Sequence, residues 1–463
     1  MSLPATGGQE YVQRLRDNRE VHLRGQRIDV TRHPAFEGIL NELRRLWDLE
    51  LPSPYLLPRT PDDLKKRRTS AETWAEESWG LLINTPDYMA SAVVGLYEFS
   101  YQLDTYDTQF GENARNYVRY AAEQNLAVAH AIADPLVARS ELYPGYTPDS
   151  DKGLQITQET PNGIVVRGVL PIVPMAPLAH ELLVYSTTTR TEPERNPGVA
   201  WFAIPVSAAG LKILCGDPPS AHAQDPSHAF AHRYNEPDAT VFFDDVLVPW
   251  DRLFLCYNAP LARAGLDRVR TWSLYSANIR SYYYLWTIVG VATMMAEVSG
   301  VDVQRGMRDK LGEIIIYPEL FKSALVGSEF EATPTESGLL APGDGLALAA
   351  FAEQYTRRIL DVVREIAGAG LIQQVSEADL NSPDLGSYVE RYFGAEAFTA
   401  AERVRLFRIA WDLLGDGGGS RKELYERWLR GDGAWTRNQL YLAYDRSDLV
   451  ARISELVSRP LPV

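Results

Sequence analysis

The chain has 463 residues, of which 45% are hydrophobic and 23% charged, and its formal net charge is −15. A length beyond the roughly 250–300 residues at which a single core stops growing implies two or three domains, and the acidity repels a phosphate backbone. Two cysteines, Cys215 and Cys256, are too few for a disulfide framework or a thiolate cluster, no apolar run reaches membrane length, and the opening Met1-Ser-Leu-Pro-Ala5 is no secretory leader, so no metal, no nucleic acid, no membrane and a cytoplasmic location are expected.

Residues 9 to 150 read as mainly helical. Apolar side chains recur at three- and four-residue steps in Glu10–Asp17 and Phe36–Trp47. Thr60-Pro-Asp-Asp63 supplies an N-cap, a proline at the first helical position and acids in the first turn, opening a helix toward Trp79; Thr85-Pro-Asp-Tyr88 repeats the device. A further helix is expected from Asn113 to about Ala133, closed by Asp134-Pro135.

Between Gly153 and Asn258 the pattern shifts to short β-branched runs such as Gly163–Gly168, Leu182–Tyr185, Ala200–Pro205, Leu211–Leu214 and Thr240–Phe243, the spacing of an antiparallel sandwich or barrel. Helical periodicity returns after Pro260 in four long segments, Ser276–Ser299, Asp309–Ser328, Ala347–Gly368 and Ala400–Leu414, which suit a bundle. The expected fold is therefore α+β: an N-terminal helical domain over 1–150, a middle antiparallel β-barrel or sandwich over 151–270, and a C-terminal four-helix bundle with a tail over 271–463. That order is similar to the layout of acyl-CoA dehydrogenase-type flavoproteins. Within the last domain, Gly368 and Gly370 precede Leu371; two glycines so placed suit a turn with positive φ or the approach of another molecule to bare backbone, the plainer alternative being a helix C-cap. Neither H-E-x-x-H, G-x-S-x-G, a phosphate-binding loop nor a G-x-G-x-x-G nicotinamide site is present.

A series of segments spread over nearly the whole chain then carries a family resemblance. They include Glu10–Glu20 with His33-Pro-Ala-Phe36, Leu57–Leu64, Thr85-Pro-Asp-Tyr88, His130-Ala-Ile-Ala-Asp-Pro135, His180–Val184, Phe243–Trp250, Lys310-Leu-Gly-Glu313, Arg364–Ile372, Arg408–Leu414 and Ser420–Glu426. In that order they resemble the oxygenase component of the 4-hydroxyphenylacetate 3-hydroxylase family, two-component monooxygenases that use FADH2 and O2 and need a separate flavin reductase. The resemblance implies a homotetramer with FAD between the β-domain and the bundle, and oxygen transfer from a flavin C4a-hydroperoxide to an aromatic or heteroaromatic substrate, nitrogen centres included, free or tethered to a carrier protein. It places Tyr88 and His130 at the substrate, with Asn84 beside them. Flavin contacts fall to Asp134, Val173, Pro174, Met175, Gly368, Gly370 and Leu371, and the diphosphate or adenosine end to Ser420 and Arg421. A guanidinium fork suits a diphosphate, although Arg421 could instead pair with Glu423 or Glu426.

The chain departs from the family pattern at sensitive points. Asn84 stands where the family usually has an arginine, and an amide cannot balance a phenolate by charge. The family's Asn-Pro-Gln after the histidine is Asp134-Pro-Leu136; hydroxyl donors are lost at Val173 and Pro174; and the aromatic turn before Ser420 has become Gly415-Asp-Gly-Gly-Gly419. The scaffold is retained while the substrate face is rewritten, which points to a specialised biosynthetic substrate. Two other readings compete: a redox-silent dehydratase, cyclase or isomerase on the same fold, with His130 as acid or base, and a non-catalytic binding subunit.

Overall fold

The computed structural model describes residues 7–132, 153–185 and 196–458, apart from 344, 374, 396 and 429–432. Five helices open the chain: α1 (Gly8–Arg14), α2 (Glu37–Trp47), α3 (Pro61–Glu77), α4 (Pro86–Leu103) and α5 (Thr108–Glu123). The start of α3 is fixed reciprocally, since the Thr60 hydroxyl accepts from the Asp63 N–H while the Asp63 carboxylate accepts from that of Thr60. The helix expected to run to Ala133 ends ten residues sooner, at Glu123. Asn125 adopts a left-handed φ of 46°, and the apolar run beyond it is drawn into a sheet as β3 (Val128–Ala131).

The β-region is built from more of the chain than the sequence pattern indicated. One sheet has the order β2-β1-β8-β9-β5-β4, the other β10-β7-β6-β3. Their strands are β1 (Glu20–Leu23), β2 (Gln26–Arg27), β3, β4 (Gln155–Thr160), β5 (Gly163–Leu170), β6 (Glu181–Tyr185), β7 (Asn196–Pro205), β8 (Leu211–Cys215), β9 (Ala239–Pro249) and β10 (Leu253–Tyr257). The N-terminal region thus lends β1 to one sheet and β3 to the other. Both additions are parallel pairings, β1 with β8 and β3 with β6, whereas the remaining pairings are antiparallel. A short helix, α6 (Ala229–Arg233), precedes β9.

The long helix of the C-terminal region starts at Ala259 rather than near 271. Asn258 caps it by accepting from the Leu261 N–H at 3.0 Å, and it continues as α7 (Ala259–Val298) over 40 residues. It packs on α3, α4, α8 (Arg305–Phe330), α9 (Leu346–Ala367) and α12 (Ala400–Leu414); the chain also forms α10 (Glu377–Leu380), α11 (Gly386–Phe393), α13 (Gly417–Trp428), α14 (Gly433–Ala443) and α15 (Ser447–Ser458), with the small hairpin β11 (Thr333–Pro334) and β12 (Leu340–Ala341) after α8. The main apolar core runs from Tyr11 through the sheets to Leu414, and two smaller clusters form around Trp272 and around Leu274 and Leu346. None of α15 is buried, and Ile316 and Phe330 of α8 are 56% and 90% exposed. Among the described residues no helix is long and apolar enough to cross a membrane.

Candidate active site

Strand register sets the site. His130 of β3 lies opposite Leu183 of β6, and Tyr185 of β6 lies opposite Trp201 of β7. Because side chains alternate along a strand, His130, Leu183, Tyr185 and Trp201 share one face of the four-stranded sheet. Helix α4 covers that face. Its first turn brings Tyr88 over His130, with ring centroids 5.2 Å apart, and farther along Phe99 meets Trp201 at 5.1 Å. The row is closed by an edge-on contact from Tyr185 to His130 at 6.1 Å and a tilted one from Tyr185 to Trp201 at 5.6 Å.

The imidazole has a defined protonation state. Its Nε2 lies 3.0 Å from the carbonyl oxygen of Met89, which can only accept, so Nε2 carries the proton and Nδ1 is the acceptor nitrogen. Burial pushes the His130 pKa down to about 4, the carbonyl opposing only part of the effect. The ring is therefore neutral across the physiological range and can receive a hydrogen bond or a proton at Nδ1. Burial likewise drives the Tyr185 phenol well above its ordinary range.

Asn84 faces elsewhere. Its backbone N–H and its Nδ2 donate to Oε1 of Glu236 at 2.8 and 3.1 Å, and the Ile83 N–H adds a third bond at 3.0 Å. Glu236 is fully buried, and its other oxygen accepts from Arg421 of α13 at 3.2 Å. Arg421 also grips Asp238 through Nε at 2.5 Å and Nη2 at 2.7 Å and lies over the Tyr425 ring, whose hydroxyl donates to Asp238 at 2.8 Å. The pairing with Glu423 or Glu426 that the sequence allowed is not formed. Glu423 meets Arg364, while Glu426 holds Arg280 at 2.6 Å and Lys422 at 3.2 Å in a buried cluster. Desolvation, reinforced by the neighbouring Arg280, lowers the Lys422 pKa to about 7.

The segment after β5 docks onto the start of β9: the Val173 N–H donates to Ala239 O and the Met175 N–H to Pro237 O, both at 2.9 Å. Val173 and Met175 point inward and are fully buried, Met175 with a left-handed φ of 64°, while Ile172 is exposed and Pro174 half-buried. Arg19 and Tyr11 secure the following turn by donating to Pro177 O, Ala179 O and Leu178 O. The two glycines divide their roles. Gly368 caps α9 with φ 54° and has open space where a Cβ would stand, whereas a Cβ on Gly370 would lie 2.4 Å from Phe407 Cε1. Leu371 is buried beside them, and Ser420 is exposed, its hydroxyl donating back to Asp416 O at 3.2 Å.

The structure thus joins Tyr88 with His130, and separately joins Asn84 through Glu236 to Arg421, with Val173–Met175 docked on the adjoining residues 237–239. Asp134 lies outside the described residues. Tyr185, Glu236 and Asp238 were not singled out from sequence; the only local signal was the alternation of Leu182–Tyr185 and two acids flanking Pro237 before a strand. A groove of about 520 Å³ between α1 and α2 contains none of these residues, and a cavity of about 30 Å³ beside Arg421 and Lys422 has room for a water.

Comparison with known proteins follows the same outline. The family model "4-hydroxyphenylacetate 3-hydroxylase N terminal" matches residues 7–255, and the corresponding C-terminal model matches residues 266–458. The chain is 34% identical to the 4-hydroxyphenylacetate 3-monooxygenase oxygenase component of Thermus thermophilus, over 99% of this chain and 98% of that one. It is 30% identical to a Streptomyces globisporus monooxygenase named for a (3S)-3-amino-3-(3-chloro-4-hydroxyphenyl)propanoyl group on a peptidyl-carrier protein, over 91% and 84% of the two chains. A crystal structure of a 4-hydroxyphenylacetate 3-monooxygenase oxygenase component complexed with FAD superposes with a TM-score of 0.91 at 32% identity, covering 98% of both chains.

Proposed function

Since the chain belongs to the 4-hydroxyphenylacetate 3-hydroxylase family, we propose that it hydroxylates an aromatic or heteroaromatic centre of a specialised metabolite at the Tyr88–His130 pair. It is the oxygenase component of a two-component monooxygenase that uses FAD and takes its reducing equivalents from a separate reductase. The observation that carries the site assignment is the packing of Tyr88 against a neutral His130 whose Nδ1 is an acceptor.

The residues present fit FAD unequally. The outward face of Ile172 and Pro174 and the open backbone at Gly368 suit the close approach of a flat ring or a chain. Arg421 does not suit the diphosphate: with Asp238 and Glu236 bound to it, the group carries a net negative charge. Pro174, Gly368 and Leu371 are accordingly assigned to hold the cofactor by shape, and Arg421 to fix α13. Reduced FAD with O2 supplies the transferable oxygen atom. His130 Nδ1 receives a hydrogen bond from the substrate and orients it, Tyr88 and Tyr185 wall the ring, and the apolar face built on β3, β6 and β7 keeps water from the reacting atoms.

Assembly into a homotetramer is part of this reading, supported by the uncovered apolar side chains of α8 and α15, which a second copy would bury. A cytoplasmic location is also part of this reading, and the two cysteines, both buried, are not joined in a disulfide. The test is anaerobic titration with chemically reduced FAD, followed by oxygen and a panel of phenols, arylamines and carrier-bound aryl acids. Saturable binding of reduced FAD and an oxygenated product are expected. Failure to bind reduced FAD, together with substrate conversion that consumes no oxygen, would establish the redox-silent reading instead.

A further inference from the structure

Resting on the assignment of Tyr88 and His130 to the substrate, we infer that this site accepts its aromatic substrate as an uncharged hydrogen-bond donor, an un-ionised phenol, arylamine or N–H heteroaromatic, presented to Nδ1 of His130, and does not select a phenolate.

Three observations lead there. The Met89 carbonyl, 3.0 Å from Nε2, fixes the tautomer in which Nδ1 can only accept, so the complementary ligand must bring a proton. An anion would place lone pair against lone pair. Second, the surroundings of the imidazole are aromatic and poorly solvated: the Tyr88 and Tyr185 rings flank it, and the desolvation that holds His130 uncharged acts equally against a phenolate. Third, the arginine that reaches the partner of Asn84 is already balanced. Arg421 is bound by Asp238 and Glu236. Asn84 donates to Glu236 through both its backbone and its amide. Among the described residues, burial and the Met89 carbonyl are what set the His130 ionisation, and no charged side chain contributes.

The experiment uses the FAD-loaded protein and three nitroarene probes: 4-nitrophenol, which ionises near neutrality; 4-nitroaniline, an N–H donor that stays neutral; and nitrobenzene, which has no donor. Dissociation constants are measured by equilibrium dialysis from about pH 6 to about pH 9. The expected result is that 4-nitrophenol weakens by about tenfold per pH unit above its own pKa, 4-nitroaniline binds with no such slope, and nitrobenzene binds at least about tenfold more weakly than either. His130→Leu should abolish the preference for the two donors over nitrobenzene while leaving the melting temperature close to that of the parent. Affinity for 4-nitrophenol that rises with pH through the ligand's pKa, or a donor preference that survives His130→Leu, would overturn the inference and leave the assignment of an aromatic substrate intact. If none of the three probes binds at any pH, the aromatic-substrate reading itself fails, and the inference with it.

Discussion

Glu236 is the point where the loop ahead of α4, the start of β9 and helix α13 are tied together, and Glu236→Gln tests that tie. The carboxylate accepts from Ile83 N, Asn84 N and Asn84 Nδ2 on one oxygen and from Arg421 on the other, with no exposed surface. A glutamine can keep its single carbonyl oxygen toward the three donors, but its NH2 must then face the Arg421 guanidinium, donor against donor. Breaking a buried ion pair by removing one partner costs about 3–5 kcal/mol. Here Asp238 still balances Arg421 with two bonds, so the expected loss is about 2–3 kcal/mol, near the value of one charge-assisted hydrogen bond plus its desolvation. Urea unfolding followed by tryptophan fluorescence and by circular dichroism gives the quantity, with coincident transitions required. A double-mutant cycle with Asn84→Ala should show a coupling of about 0.5 kcal/mol or more, since the two side chains touch. A loss below about 0.5 kcal/mol, or additive effects, would refute the view of Glu236 as the clamp.

Other perturbations probe separate parts of the fold. His180 accepts from the Ala127 N–H at Nδ1 and is buried, with its pKa lowered to about 4 chiefly by desolvation, as for His130. A base depressed in the folded state is protonated first in the unfolded chain, so stability is full above about pH 6.5 and falls between there and about pH 4, by about 3 kcal/mol for His180; His180→Gln should remove that portion of the slope in acid titrations of stability. Gly370→Ala would drive a methyl into Phe407 and cost about 1–3 kcal/mol, whereas Gly368→Ala meets no atom and costs about 1 kcal/mol through its positive φ alone, with a larger loss in FAD affinity; equal stability losses would contradict this division. Lys422→Met should raise stability by about 1 kcal/mol or more at pH 7, because Glu426 keeps Arg280 and Ser281 while a poorly solvated ammonium is removed. That gain should shrink as pH rises from about 7 toward about 10.5, the interval in which the unfolded chain holds the lysine proton and the folded one does not; a variant less stable than its parent at every pH would refute it.

The restoration of arginine at position 84 also takes on a different meaning. From sequence alone, Asn84→Arg should turn the enzyme toward simple phenols. With Glu236 beside it, the new guanidinium would meet a buried carboxylate before it met substrate, so the expected change is competition with Arg421 and little gain in phenol affinity, measurable by the same dialysis.

Local chemistry made the sequence legible wherever a few neighbouring residues decide the outcome. The Thr60-Pro-Asp-Asp63 cap, the β-branched runs between 153 and 258 and the apolar stripes after Pro260 each specify their element within one or two turns of chain, and together they were enough for the order helix, sheet, helix. The family motifs added Tyr88 and His130, whose rings the tertiary fold brings together. The tertiary structure alone decided what depends on partners far apart in sequence. The run 126–131 is equally apolar in a helix or a strand, and only the open edge of β6 made it β3 and turned His130 toward α4. Asn84 and Glu236 stand 152 residues apart, and Glu236 and Arg421 185 apart, so no local pattern could reveal that the amide is directed away from the site or that the arginine fork is already filled. Periodicity records which side of an element is buried; the identity of the group waiting there is fixed by the closure of long loops, and that closure settles which polar side chains remain available for chemistry.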